Sequence, residues 1–350
     1  MADLFENPMG TDGFEFVEYT GPDTDALEKL FRSLGFAAVS KHKTKDITRF
    51  KQGDINFLLN REKTGQAAEF AKIHGQSANA MAFRVKDAKF AFEEALKRGA
   101  EAFGDGIWTN PDEVPAIKGI GGSVLYLVDK YGDNGDIYGD FEATGEVDNG
   151  GVGLEILDHL THNVDQGQMA VWADFYERVF NFREIRYFDI KGKKTGLFSK
   201  AMTGPCGKLR IPLNESQDDK SQIAEFLNEY NGEGIQHIAL TTPDIYKTVD
   251  TLRENGVIFQ DTPDTYYELI DARVPGHGEP VAELAKRRIL LDGDVEKEQG
   301  LLLQIFTQTV IGPVFFEIIQ RKGNEGFGEG NFKALFESIE LDQERRGVLA

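Results

Sequence analysis

The chain contains itself twice, and that constrains its fold more than any other feature. MAFRVKDAKFAFEEALKRGAEAF (81–103) lines up with IALTTPDIYKTVDTLRENGVIF (238–259): a strand, an Asp, an amphipathic helix, then Gly and a new strand. GFEFVEYTGPD…LFRSLGF (13–36) echoes LEILDHLTHNV…VFNF (154–182), and GSVLYLVDKYG (122–132) more loosely echoes PVFFEIIQRKG (313–323). A repeat of about half the chain predicts two like domains, and 350 residues are enough for two. GDFEATGEVDNGGVG (139–153) is acidic, Gly-rich and free of apolar periodicity, as a linker is. The expected division is residues 1–145 and 146–350.

In the second half the pattern predicts strands at 154–160, 183–190, 196–203, 208–213, 235–241, 300–307 and 313–320. Helices are expected near 168–180, 221–230, 244–255 and 332–345. The last rests on the spacing of Phe332, Leu335, Phe336 and Ile339, with Asn331 as its N-cap. The architecture expected is mixed α+β, with βαβββ units curling into a half-barrel.

Three polar residues interrupt runs that otherwise read as buried strands: His159 in LEILDHL, His237 in GIQHIAL and Glu317 in PVFFEIIQ. Each has an ordinary explanation alone. A strand histidine is usually a hydrogen-bonded core residue, and a buried Glu317 can pair with an arginine such as Arg321. Together they match a known ligand set, because a buried imidazole or carboxylate is costly unless paired or metal-bound. Two histidines and one carboxylate hold non-haem Fe(II) on one face and leave positions open. They are spaced 78 and 80 residues apart, so folding must bring them together. By the repeat alignment, their counterparts in the first half are Glu18, Ala80 and a position near Tyr126. With neither histidine present, that half is expected to be metal-free. His162 follows His159 by three and faces the other side of a strand, which gives it a structural role. His42, His74 and His277 sit in polar segments and are expected to face solvent.

Composition excludes several classes. With 39 basic and 59 acidic residues the net charge is −20, a surface that repels phosphate backbones and anionic membranes. Nucleic-acid and membrane partners are not expected. Cys206 is the lone cysteine, so neither an intrachain disulfide nor a thiolate metal cluster can form. The N-terminus lacks a basic segment followed by an apolar one, and no apolar run approaches the roughly 18 residues that span a bilayer. A cytoplasmic location is expected.

LEILDHL, RIPLNE, GIQHIAL, DTYYE, LLLQIFT, PVFFEIIQR and GFGEGNFKALFE, with GFEFVEY and PAIKGIGG in the first half, resemble the landmarks of the 4-hydroxyphenylpyruvate dioxygenases. That family belongs to the vicinal-oxygen-chelate superfamily. The resemblance implies two tandem domains of paired βαβββ modules, each an open half-barrel with helices outside. It implies that His159, His237 and Glu317 bind Fe(II), with 4-hydroxyphenylpyruvate and O2 as substrates and homogentisate and CO2 as products. Gln236 and Gln304 look like the family's substrate-contacting glutamines, although strand alternation would turn Gln236 away from His237 unless the strand bends. Ser199, Asn214 and Gln222 look like its network for the phenolic hydroxyl. Phe306, Phe315, Phe327 and Phe332 are expected as apolar walls, and Asn331 among the substrate contacts. The GFGEGNF loop and the final helix are expected to form a lid, and the assembly to be a homodimer or homotetramer. Two alternatives accompany the resemblance: a 4-hydroxymandelate synthase acting on the same substrate, and a haemolysin-labelled relative acting through homogentisate-derived pigment.

Overall fold

The computed structural model describes residues 3–104, 106–108, 113–191, 196–218 and 220–335, and within them each half of the chain builds one mixed sheet. The first sheet contains β1 (Phe14–Thr20), β2 (Ala37–His42), β3 (Ile47–Gln52), β4 (Ile55–Asn60), β5 (Ser77–Arg84), β6 (Ala102–Phe103), β7 (Ala116–Lys118), β8 (Val124–Val128) and β9 (Phe141–Ala143). Helices α1 (Thr24–Ser33), α2 (Gly65–His74) and α3 (Ala88–Lys97) connect them. The second sheet contains β10 (Leu157–Val164), β11 (Arg183–Lys191), β12 (Gly196–Thr203), β13 (Arg210–Ser216), β14 (Gly234–Thr241), β15 (Leu290–Gly293), β16 (Leu301–Phe306) and β17 (Phe315–Lys322). Its helices are α4 (Met169–Phe180), α5 (Gln222–Tyr230), α6 (Ile245–Glu254), α7 (Asp264–Glu268), α8 (Ile270–Arg273) and α9 (Val281–Arg287).

Strand order runs β6-β7-β8-β5-β1-β4-β3-β2-β9 in one sheet and β15-β16-β17-β14-β10-β13-β12-β11 in the other. Apart from β9 the two orders are the same, and each half is a pair of βαβββ modules. The second sheet forms an open half-barrel. The repeated Asp of the sequence echo is a helix cap in both copies. Asp87 accepts from the Phe90 amide at 2.8 Å and Asp244 from the Lys247 amide at 3.1 Å, each worth about 1 kcal/mol. Helix α4 buries Met169, Ala173, Tyr176, Val179 and Phe180 on one stripe and stops at Asn181, whose φ of 57° ends the helical path.

One continuous core joins the halves, with Phe57 of β4 stacked on Phe316 of β17 at 5.8 Å. PAIKGIGG has a packing role here. Gly121, at φ +59°, lies where an added Cβ would meet the Glu233 carbonyl oxygen of the second half at 2.0 Å.

Four expectations need correction. Strand β10 starts and ends later than 154–160, because the polar run THNV stays inside the sheet with every residue buried. His42, His74 and His277 are buried, since each ring meets a backbone group, nearby in sequence for His42 and His277 and distant for His74. His42 Nδ1 accepts from the Thr44 and Lys45 amides, and His277 Nδ1 accepts from the Glu279 amide. His74 lies 2.7 Å from the Tyr230 carbonyl and stacks on that ring, tying α2 to α5. Asn331 is not an N-cap: the last described helix spans 329–335, with Asn331 inside it. Residues 336–345 of the expected final helix lie outside the described residues. Finally, α7, α8, α9 and β15 lie between 256 and 299, a loop-rich stretch of the sequence for which no helix or strand is expected.

His162 is fully buried, with Nε2 2.8 Å from the Tyr176 hydroxyl, so it fixes β10 to α4. Burial brings its pKa from the usual 6.5 to about 3. Between those values the unfolded chain holds the proton and the folded chain does not, so this residue's contribution to stability is lost as pH falls through that window. Urea unfolding at pH 5 is expected to take up about one proton fewer in His162→Leu than in the parent chain. Equal pH slopes would show that His162 is not held neutral.

Candidate metal centre

A regular strand points successive side chains to opposite faces, yet this site needs neighbours on one face, and two bulges supply them. Along β10 and β14 the register passes from Leu157↔Leu240 to His159↔Ala239, skipping Asp158, and from Thr161↔His237 to His162↔Ile235, skipping Gln236. Each skipped residue sits beside a histidine and binds its ring. Asp158 Oδ2 lies 2.8 Å from His159 Nδ1, and Gln236 Oε1 lies 2.6 Å from His237 Nδ1. Acceptors at both Nδ1 atoms hold a proton there, so that each ring, when neutral, turns its Nε2 lone pair toward the centre.

Glu317 completes the group from β17, which pairs in parallel with β14 through Ala239↔Glu317. Its Oε2 lies 3.1 Å from His159 Nε2 and 3.3 Å from His237 Nε2. The two Nε2 atoms are 3.3 Å apart, and one ligand atom from each residue falls within 4.8 Å of the others. The other carboxylate oxygen, Oε1, accepts from Gln304 Nε2 at 2.8 Å. Among the described residues this is the group of three or more His, Cys, Asp and Glu side chains arranged to hold a metal ion. The donor set fits a divalent transition metal: two oriented imidazoles, one carboxylate and no thiolate.

The electrostatics agree with that chemistry. Burial works against ionising Glu317, but the charge of the His159 ring and the close contacts of both imidazoles bring its pKa to about 2. Burial pushes His237 below its usual value. Burial also opposes charging His159, yet Glu317 and Asp158 raise it overall. A metal ion bound here would displace the proton that Glu317 and Asp158 favour on His159. Asp158 is buried too, and the Arg321 guanidinium, with His159 and Arg210, holds its carboxyl well below the usual range. Arg321 thus pairs with Asp158 and not with Glu317, donating to both carboxylate oxygens at 2.9 and 2.7 Å. It also donates to the carbonyls of Asn324 and Gly326 at 2.9 and 2.7 Å, which fixes the GFGEG loop to the ligand's own support.

That loop brings the Phe327 ring to 5.4 Å from His159. Gly328, at φ +76°, passes so near Gln304 that a Cβ would lie 1.7 Å from its Oε1. Phe315 stacks on His237 at 5.0 Å, and Phe306 lies edge-on to both at 6.3 and 5.9 Å. Asn331 donates to Gln304 Oε1 at 2.7 Å and accepts from the Tyr266 hydroxyl at 2.6 Å. Ser199 and Asn214 face each other across β12 and β13, and Asn214 pairs in register with Asn163 of β10. Asn163 lies two and four positions beyond Thr161 and His159, so these polar residues form a row on one face. Gln222 is exposed at the start of α5, and Phe332 is 41% exposed. Neither is in ring or hydrogen-bond contact with the triad among the described residues.

Sequence reasoning missed Thr161, whose hydroxyl lies 2.9 Å from His237 Nε2, and it missed Asn163, Arg210, Tyr266 and Arg273. The THN run was the available signal, since three polar residues continue a strand without a turn residue. The ladder also corrects the repeat alignment by two residues. Bulges at Glu15 and Asn79 in β1 and β5 repeat those at Asp158 and Gln236. The counterpart of His159 is therefore Phe16, with Ala80 and Tyr126 answering to His237 and Glu317.

Comparison with known proteins follows the same line. Residues 5–142 match the family model described as hydroxyphenylpyruvate dioxygenase, HPPD, N-terminal, and residues 156–269 match the glyoxalase/bleomycin resistance protein/dioxygenase superfamily. The chain is 60% identical over 348 residues to the 4-hydroxyphenylpyruvate dioxygenase of Pseudomonas aeruginosa, covering 98% of this chain and 97% of that one. It belongs to the 4-hydroxyphenylpyruvate dioxygenase family. Another member-like relative, "Hemolysin VllY" of Vibrio vulnificus, is 62% identical over 350 residues and 98% of each chain. Among solved structures, a mutant 4-hydroxymandelate synthase from Streptomyces coelicolor aligns with a TM-score of 0.78 at 27% identity, over 95% of this chain and 99% of that one. The family's paired modules account for the duplicated strand order, and its fold for the open half-barrel.

Removing Arg321 leaves Asp158 as a buried charge short of its main partner. Arg321→Met is expected to cost about 3–5 kcal/mol in equilibrium unfolding and to weaken Co(II) binding about 10–100-fold. Unchanged Co(II) affinity in the folded variant would show that Asp158 orients His159 without its arginine.

Proposed function

We propose that this chain is an Fe(II)-dependent dioxygenase that converts 4-hydroxyphenylpyruvate and O2 into homogentisate and CO2. The observation that carries this reading is the group of buried His159 and Glu317 with partly buried His237, in a chain 60% identical, end to end, to a 4-hydroxyphenylpyruvate dioxygenase. His159, His237 and Glu317 would hold the iron. Bound Fe(II) would supply a Lewis-acidic centre for a 2-oxo acid and the activation of O2.

The remaining work belongs to the protein. Asp158 and Gln236 keep the two Nε2 atoms aimed inward, and Gln304 occupies the oxygen of Glu317 that is not needed for the metal. Asn331 holds Gln304 in turn, which supports a role for both amides beside the substrate. Phe306, Phe315 and Phe327 form the apolar walls against which the aromatic ring lies and from which water is excluded. Ser199, Asn214 and Asn163 form the polar row that receives the phenolic hydroxyl. Gln222 and Phe332 complete the expected set from the cleft's outer margin. The loop at 324–328 and the helix that follows act as a lid over the iron.

Residues 146–350 make the catalytic domain and residues 1–145 a metal-free partner domain. Its outer surface is the contact of a homodimer or homotetramer in the cytoplasm, without nucleic-acid or membrane partners. The net charge of −20 supports the last point, and no helix among the described residues is long and apolar enough to cross a membrane.

Product analysis tests the reading. Protein loaded with Fe(II), given 4-hydroxyphenylpyruvate and O2, is expected to yield homogentisate with one CO2 for each molecule formed. 4-Hydroxymandelate would instead assign the synthase reaction to the same site. His237→Ala is expected to lower turnover at least about 10³-fold while the protein stays folded. An activity that survives that change is not metal-dependent.

A further inference from the structure

The first half-barrel repeats the concave face of the metal centre without its ligands. Register equates Phe16, Ala80 and Tyr126 with His159, His237 and Glu317, and Asn60 with Asn214. Phe16, Trp108 and Tyr126 pack together at centroid distances of 5.1–5.5 Å and fill the space where the metal ligands would converge. Filling stops there. Beside this aromatic plug lies a cavity of about 200 Å³ whose lining includes Glu18, Lys45, Asn60, Glu62 and Gln66. A site that had become packing alone would carry apolar side chains at these positions, because buried polar groups cost free energy without partners.

Glu18 is the decisive residue. It is 1% exposed, and its Oε1 accepts from the Asn60 and Asn79 amides at 2.8 Å each. Its Oε2 is buried and has no hydrogen-bond partner. Burial raises its carboxyl above the ordinary value, against the two amides and Lys45, and a cation at Oε2 would offset that cost. The same cavity is lined by residues 64–67, the first turn of the ten-residue helix α2. Thr64, at the N-cap position, makes no side-chain cap bond, and the amides of a helix's first turn attract anions. Lys45, whose Nζ reaches the Gly106 carbonyl at 3.2 Å, adds a positive charge to that lining.

We propose that this cavity binds a small zwitterion of the α-amino-acid class, its ammonium on Glu18 Oε2 and its carboxylate at the first turn of α2 beside Lys45. A simple anion would face Glu18 and Glu62 uncompensated. A simple amine would leave the helix terminus and Lys45 unanswered. A metal ion would find too few ligands, since no group of three His, Cys, Asp and Glu side chains forms here among the described residues. The volume of about 200 Å³ falls below the ~300–1,000 Å³ of drug-sized ligand pockets and suits a single small amino acid. Position, charge and size thus select one ligand class.

The test is ligand-observed NMR on the full chain with each of the twenty L-amino acids. Propionate and ethylamine serve as the singly charged counterparts of L-alanine. At least one small amino acid is expected to bind, with both counterparts at least about tenfold weaker. Glu18→Gln and Lys45→Met are each expected to raise the Kd about tenfold or more, a loss of about 1.4 kcal/mol. Three results would each overturn the proposal: no amino acid binding at about 10 mM, binding unchanged in both variants, or equal binding of propionate or ethylamine. Should Glu18→Gln fail to fold, Lys45→Met decides, because Lys45 is only partly buried. The readout is binding and not turnover, so it stands or falls independently of the function proposed for the metal centre.

Discussion

A β-strand offers one face only every second residue, and a metal-binding histidine needs an acceptor at its other nitrogen. Both demands meet at the Asp158 and Gln236 bulges. Without the first, Asp158 would point into the helical layer and His159 would lose its Nδ1 partner. Without the second, Gln236 would turn from His237. Two inserted residues in the central antiparallel pair convert a sheet surface into a centre with three inward ligand atoms. The Arg321 guanidinium makes the first bulge affordable, since it neutralises a carboxylate that is 4% exposed and ties it to the loop bearing Phe327.

The same bulges stand at Glu15 and Asn79 in the half that has no histidines. Backbone irregularity is therefore a property of the duplicated module and not a consequence of metal binding. What distinguishes the halves is the filling of one concave face. Phe16, Trp108 and Tyr126 occupy it in the first, while His159, Thr161, His237 and Glu317 line it in the second. The opposite faces are alike in both halves and form the core, where Val17, Tyr19, Phe316 and Ile318 are each fully buried. The core common to both halves lies on one side of each sheet, which leaves the other side free to differ: an apolar cluster in the first half, polar residues in the second.

This division explains what could be read from the chain. The modules, the echoing helices and the convergence of His159, His237 and Glu317 were legible, because apolar periodicity records the core face and a lone polar residue within it stands out. The register was not. A bulge shifts the face by one residue and leaves no compositional mark, so Glu18 was matched to His159 when Phe16 is its counterpart. Gln236 carried the same ambiguity, which its bulge resolves. The histidines at 42, 74 and 277 misled for a related reason: a polar neighbourhood in sequence says nothing about the backbone amides, or for His74 the Tyr230 carbonyl, that meet a ring after folding. Asn331 looked like a cap because caps are local, whereas its partners Gln304 and Tyr266 are 27 and 65 residues away.

Charge at the centre links the site to its ligand. Two neutral imidazoles and the ionised Glu317 contribute one negative charge, so a divalent metal would leave the centre with one positive charge overall. Asp158 does not alter that balance, because Arg321 and Arg210 surround it. A chain carrying a surface excess of twenty negative charges repels anions at long range, but solvent ions screen that field within about 8–10 Å. Beside the triad the rings of Phe306, Phe315 and Phe327 lower the local dielectric and lengthen the reach of its charge. A singly charged 2-oxo acid is therefore favoured by the centre itself, and the acidic exterior serves solubility at little cost to binding.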